Sequence, residues 1–321
     1  MLYPDIEPNS THTLPVSGGH TLYFELSGNP EGIPVIFIHG GPGGALPKGY
    51  QRFFDPNLYF VIGFDQRGCG RSVPFGSTEN NTTTDLLHDI AALKQHLNID
   101  KWVVFGGSWG ATMALLTAID DPASTLAVVL RGTFLARQFD FDWFISPNGG
   151  AAQLFPDYYE HFVEPIGKQA NTHDVCVAFY KQLKDTNEIR RANAIRAWYQ
   201  WEERLSRLTL PANYSAAQHT PLKEMTSMAL LECHYILNRC FIDEGYILNN
   251  IDKIAAIPGI IVHGRYDAIC STAGAFALHK QWPNSQLNII PNAGHSTAEP
   301  GIASALVQAT RQVAKFLKHT V

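Results

Sequence analysis

The sequence predicts an α/β fold in which a mostly parallel sheet carries helices on both faces and is interrupted once by a long helical insertion. Three observations predict it. Short apolar runs alternate with helix-length stretches; strand-like runs vanish between about residues 134 and 250 and then return; and the run "KWVVFGG" enters a small-residue helix through the glycine-flanked Ser108. In chain order the runs are "TLYFELSG", "PVIFIHGG", "LYFVIGFDQRG", "KWVVFGG", "STLAVVLRG", "PGIIVHGRYD" and "SQLNIIPNAG". Nearly continuous apolar runs bounded by turn residues fit strands buried on both faces. "TTTDLLHDIAALKQHLN" and "GATMALLTAIDDP" supply the intervening helices, while "NEIRRANAIRAWYQWEERLSRL" and "LKEMTSMALLECHYILNRCF" are the helical texture of the insertion. The chain thus divides into a first core part at residues 1–133, a helical cap at 134–250 and a second core part at 251–321.

With 45% hydrophobic and 17% charged residues, the 321-residue chain has a globular composition. A net charge of -5 and the lack of a Lys/Arg-rich run argue against nucleic-acid and anionic-membrane partners. The N-terminal "MLYPDIEPNSTHTLPVSGG" has neither a basic n-region nor an apolar h-region, which predicts a cytoplasmic protein. Five scattered cysteines without C-x-x-C spacing read as free thiols rather than a disulfide or zinc framework.

Residues 106–110, Gly-Gly-Ser-Trp-Gly, match G-x-S-x-G in its required setting, a strand before and a helix after. A turn this tight strains the serine backbone and leaves no room for flanking side chains, but it exposes Oγ at a helix N-terminus. Serine needs a base to take its proton and an acid to orient that base, in the chain order Ser, Asp or Glu, His. Asp267 follows the strand "GIIVHG", and His295, one of 13 histidines, follows "LNII". Both fall where a parallel sheet collects loops at its C-terminal edge, whereas Asp252 precedes its strand. A tetrahedral intermediate also requires backbone N–H donors. Trp109 offers one, and Gly41 in "HGGPGG", directly after the strand "VIFI", offers the second.

Together with "DQRGCGRS", "LRGTFLAR", "LFPDYYEHFVEPI", "WYQWEE" and "LLECHY", these motifs make the chain resemble the proline iminopeptidase (prolyl aminopeptidase) family of α/β-hydrolases over nearly its whole length. The resemblance implies an α/β-hydrolase fold with an inserted cap and serine exopeptidase action on N-terminal proline, with Ser108, Asp267 and His295 as the triad. It further implies that Glu202 and Glu232 hold the free amino group of a small peptide. Helical spacing examines this last point independently. Glu232 has Met228, Ala229, Tyr235 and Ile236 as its face neighbours, and Glu202 has Trp198, Tyr199, Leu205 and Ser206. Glu203 instead faces Tyr199, Gln200, Ser206 and Arg207.

An unpaired carboxylate on an apolar face costs several kcal/mol, so each needs a cationic partner. That partner is either a substrate amine or a cap arginine such as Arg196, Arg204 or Arg239. Among the cap aromatics, Phe139 and Tyr235 are candidates to wall a pyrrolidine pocket. Departures from the family pattern, "ISPNGG" after "DWF" and Ile236 in place of Phe, imply that other small N-terminal residues are accepted. Arg67 and Arg71 are expected to organise the loop beneath the site. Acyl transfer of this kind calls for no metal or organic cofactor. The alternative is an esterase or amidase on the same fold, in which the glutamates would pair with arginines.

Overall fold

The seven apolar runs form strands β2 (Thr21–Gly28), β3 (Ile33–Ile38), β4 (Tyr59–Asp65), β5 (Trp102–Gly107), β6 (Thr125–Arg131), β7 (Gly259–Gly264) and β8 (Ser285–Ile290). The computed structural model describes residues 1–209 and 220–320. An additional strand, β1 (Ser10–Pro15), escapes the sequence reading because "STHTLP" is polar and mostly exposed. It pairs antiparallel with β2 at the sheet edge, where a polar, proline-ended strand discourages further pairing.

Among the described residues the strands make one sheet in the order β1-β2-β4-β3-β5-β6-β7-β8. The β2–β4 pair is antiparallel, and every pair from β4 to β8 is parallel. A parallel sheet brings all its strand C-termini to one edge, and the reversal between β3 and β5 opens a crevice there. Strand residues alternate between two cores. Ile36, Ile62, Val104 and Val128 face helices α1 (Thr83–His96), α2 (Trp109–Asp120) and α10 (Thr272–Gln281), while Val35, Val61, Val103 and Val129 face α11 (Pro300–Thr320). A reciprocal cap between Thr82 and Asp85 starts α1.

Between β6 and β7 lie α3 (Gln138–Ile145), α4 (Gly150–Leu154), α5 (Pro156–Val163), α6 (Thr172–Leu183), α7 (Glu188–Leu205), α8 (Leu222–Leu237) and the single turn α9 (Tyr246–Asn249). Part of the cap expected at 134–250, residues 210–219, lies outside the described residues. The helical unit has its own aromatic core, in which Phe162 stacks on Phe179 and Trp201 and meets Trp198 edge-on. Packing changes hands within α8: Cys233 belongs to the cap core, but Tyr235 and the following Cys240 and Ile247 belong to the sheet core beneath α2. Among the described residues, no helix is long and apolar enough to cross a membrane.

The turn from β5 into α2 leaves no space for side chains. A Cβ on Gly106 would sit 2.0 Å from the Gly110 carbonyl oxygen, and one on Gly110 would sit 2.1 Å from that of Ile38 in β3. Both obstacles are backbone atoms that cannot rotate away. Gly110→Ala is therefore expected to destabilise the protein by more than about 3 kcal/mol. Urea unfolding checks this, and a loss below about 1 kcal/mol would contradict the packing described.

Candidate active site

Ser108 stands between β5 and α2 with φ 58° and ψ -124°. This is a strained conformation for a residue with a side chain, and it is held by the Ser108 N–H donating to the Arg131 carbonyl at 2.8 Å. The serine is 8% exposed and borders one cavity with Cys270. Trp109 opens α2, and its backbone N–H belongs to the first helical turn, whose amides have no carbonyl four residues back to bond.

Asp267 and His295 meet as the loops after β7 and β8 converge. Nδ1 of His295 lies 2.7 Å from Oδ2 of Asp267, while Oδ1 of Asp267 accepts the N–H groups of Ile269 at 3.0 Å and Cys270 at 2.8 Å. Burial opposes ionisation of Asp267, but His295, His263 and the Cys270 amide outweigh it and hold the carboxyl below its usual range. Desolvation lowers the His295 pKa, with Arg131 adding to the shift and Asp267 resisting it, so the imidazole is neutral at pH 7.

The sequence reading missed Arg131. Its Nη1 lies 2.7 Å from Nε2 of His295 and also donates to the His295 carbonyl at 3.2 Å, while its buried Nε has no hydrogen-bond partner. A charged residue ending the apolar run "TLAVVLR" was the available signal. A polar side chain at the C-terminal end of a central parallel strand points into the crevice.

The "HGGPGG" loop is tied to the serine turn through side chains. The Trp109 indole donates to Oε1 of Gln66 at 3.0 Å, Nε2 of Gln66 donates to the His39 carbonyl at 2.8 Å, and the Gln66 N–H donates to Nε2 of His39 at 3.0 Å. Gly41, with φ 121°, lines the cavities on both sides of Ser108. Beneath the loop, Asp65 accepts from the Leu46 N–H and from Arg71, while the fully buried Arg67 makes a two-pronged pair with Asp89. Both arginines thus brace the loops under the site, as the sequence suggested.

Glu202 on α7 and Glu232 on α8 meet beside the serine, close enough that each carboxyl acts on the other. Trp198, one turn before Glu202, donates its indole N–H to Glu232 at 2.5 Å, and Oε2 of Glu202 is buried with no hydrogen-bond partner. Burial raises both pKa values, that of Glu202 to about 7 and that of Glu232 well above its usual range. The three arginines named above do not line the glutamates' cavities: Arg196 and Arg204 line a separate one of about 640 Å³, and Arg239 is exposed. The guanidinium whose charge reaches Glu202 is Arg131 of the core.

Two aromatic assignments are corrected by the packing. Phe139 is 48% exposed under the Arg137 guanidinium, because it lies on the outer side of the first turn of α3. Tyr235 is buried behind the site, edge-on to Trp109 at 4.9 Å and donating its hydroxyl to Asn81 at 2.8 Å. Glu232 and Ile236 are one helical turn apart and share a face, so Ile236 reaches the cavity beside Ser108 and Tyr235 does not. The remaining wall comes from Phe134, Phe144, Ile269 and the two thiols Cys240 and Cys270. Among the described residues, no cluster of His, Cys, Asp and Glu is arranged to hold a metal.

A family model described as "alpha/beta hydrolase fold" matches residues 33–301. The chain is 44% identical over 310 residues to the proline iminopeptidase of Xanthomonas citri, covering 96% of this chain and 98% of that protein. It is 38% identical over 317 residues to the proline iminopeptidase of Neisseria meningitidis serogroup B, covering 98% of this chain and 100% of that protein. Among solved structures, the proline iminopeptidase of Mycobacterium smegmatis superposes with a TM-score of 0.61 at 17% identity, covering 96% of this chain and all of that one. An esterase from Exiguobacterium antarcticum gives 0.62 at 18%, covering 94% and 98%, so at this distance structural likeness reports the fold alone.

The carboxyl pair has a stability signature. A carboxyl whose folded pKa is raised stabilises the fold only in its protonated form, and that contribution is lost as pH climbs from about 4.5 through about 7. Glu202→Gln keeps the shape and removes the charge, so it is expected to stabilise the protein at pH 8 by roughly 1–3 kcal/mol and by much less at pH 5. Paired denaturant titrations at the two pH values measure this, and destabilisation at pH 8 would contradict the assignment.

Proposed function

Because the chain belongs to the proline iminopeptidase family of α/β-hydrolases, we propose that it is a serine exopeptidase releasing an N-terminal proline, and other small N-terminal residues, from short peptides. The observation that carries this reading is the pairing of buried Glu232 with half-buried Glu202 beside Ser108, which a protonated amine satisfies and an internal peptide bond does not.

In this mechanism Ser108 Oγ bonds to the carbonyl carbon of the first residue as its proton passes to Nε2 of His295. Arg131 donates to that nitrogen in the free protein, so its guanidinium yields the position as the serine engages. Asp267 fixes the ring and offsets the imidazolium charge, while the N–H groups of Trp109 and Gly41 hold the oxyanion. The C–N bond then breaks, His295 returns the proton to the leaving amine, and water repeats the sequence to free the acyl residue. Phe134, Phe144 and Ile236 enclose the ring of the first residue. A cavity whose walls include isoleucine and two thiols fits a small apolar ring or side chain. No metal or organic cofactor enters any step.

Ser108→Ala is expected to lower kcat/KM on prolyl-2-naphthylamide by about 10⁴-fold or more, and N-acetylation of that substrate to abolish turnover by the wild type. Release of naphthylamine decides both. Equal turnover of the acetylated substrate would replace the exopeptidase reading with that of an amidase.

One carboxylate of the pair must be ionised to bind an ammonium, so kcat/KM is expected to fall as pH drops through about 7, the value for Glu202 in the free protein. His295 titrates lower and does not set this limb. The positive charge of Arg131 lowers the Glu202 pKa, so Arg131→Met moves the limb to higher pH. A limb unmoved in Arg131→Met would dissociate Glu202 from it.

A further inference from the structure

Two cavities open on Ser108 from opposite sides. The small one, of about 30 Å³, holds Glu232 and the apolar wall described above, and the other, of about 270 Å³, holds His295, Arg131 and Glu202. Proton return distinguishes their roles. His295 must face the nitrogen that departs, and among these cavities it lines the second one, so the part of the peptide beyond the scissile bond leaves through that side.

The surface there is mixed: Arg131, Arg207, Glu202 and Glu203 line it together with three phenyl rings. Phe37 and Phe53 both stack against Phe105, with centroids 5.3 and 6.0 Å away and ring planes within 20° and 19°, and all three rings line the cavity. Pro47, Ala45 and Met228 extend the apolar lining toward the mouth. These phenyl rings belong to the sheet face covered by α11, and a core aromatic ordinarily spends its whole surface on neighbours. Here the three rings are 2–6% exposed, and that edge lies along the cavity beside the serine.

We propose that this cavity receives the side chain of the peptide's second residue and selects apolar, above all aromatic, side chains at that position. The inference rests on the exopeptidase reading and names its substrate class more closely: peptides beginning Pro-Phe, Pro-Tyr or Pro-Leu. A bulky apolar side chain loses its water against the edges of three phenyl rings, whereas glycine leaves the space unfilled and a carboxylate is repelled by Glu202 and Glu203 as it approaches the guanidiniums of Arg131 and Arg207. Ala45 is exposed on the loop and borders the cavity, so a larger residue at that position occupies the space from the solvent side without disturbing the core.

The test is free-proline release from Pro-Phe-NH2, Pro-Gly-NH2 and Pro-Glu-NH2 by the wild type and by Ala45→Trp. The wild type is expected to favour Pro-Phe-NH2 over Pro-Gly-NH2 by about 10-fold or more in kcat/KM, and Ala45→Trp to reduce that ratio at least about threefold. Proline release at rates within about twofold for the three peptides, or fastest from Pro-Glu-NH2, would overturn the subsite and leave the exopeptidase standing. No proline from any of them would overturn both. A ratio unchanged in Ala45→Trp, confirmed as folded by its circular dichroism, would also overturn the placement.

Discussion

The site depends on a backbone contact that no side chain makes. Where β5 turns into α2, the Gly110 backbone packs against the Ile38 carbonyl of β3, and Gly106 lies against Gly110 itself. This close approach forces Ser108 into its strained angles and fixes it at the centre of the sheet, the least deformable part of the fold. Every other group in the site is referenced to that point. The Trp109 indole reaches Gln66, Gln66 holds His39, and the "HGGPGG" loop is thereby set against the serine turn.

The cap completes the site by creating an unfavourable pair rather than a favourable one. A buried Glu232 and a half-buried Glu202 face each other, and a tryptophan indole supplies a hydrogen bond but no charge. In the free protein this arrangement opposes folding at neutral pH, and the cap's aromatic core absorbs the cost. A cationic amine reverses the balance, which links recognition of a chain terminus to the same desolvation that makes the pair unstable. Arg131 connects the two halves of the site, since one guanidinium bonds His295 and lowers the proton affinity of Glu202.

Legibility along the chain follows the range of the forces involved. Buried parallel strands appear in the sequence as apolar runs because both faces are covered, whereas β1, exposed at the edge, leaves no such pattern. Asp267 and His295 were readable because a group just past a parallel strand has only one edge on which to lie. The apolar helical faces around Glu202 and Glu232 were equally readable from spacing.

By itself, then, the sequence determined the elements, the serine turn, the order and edge of its partners, and the two carboxyls misplaced on apolar faces. These follow from local periodicity and from rules of chain connection. Only the tertiary structure decided that Arg131 meets His295, that Ile236 rather than Tyr235 borders the cavity, and that Phe139 faces solvent. Those outcomes depend on the angle at which α8 and α3 dock on the core. A rotation of one residue, about 100° around a helix, exchanges a cavity wall for a buried support, and helical spacing carries no information about docking angle.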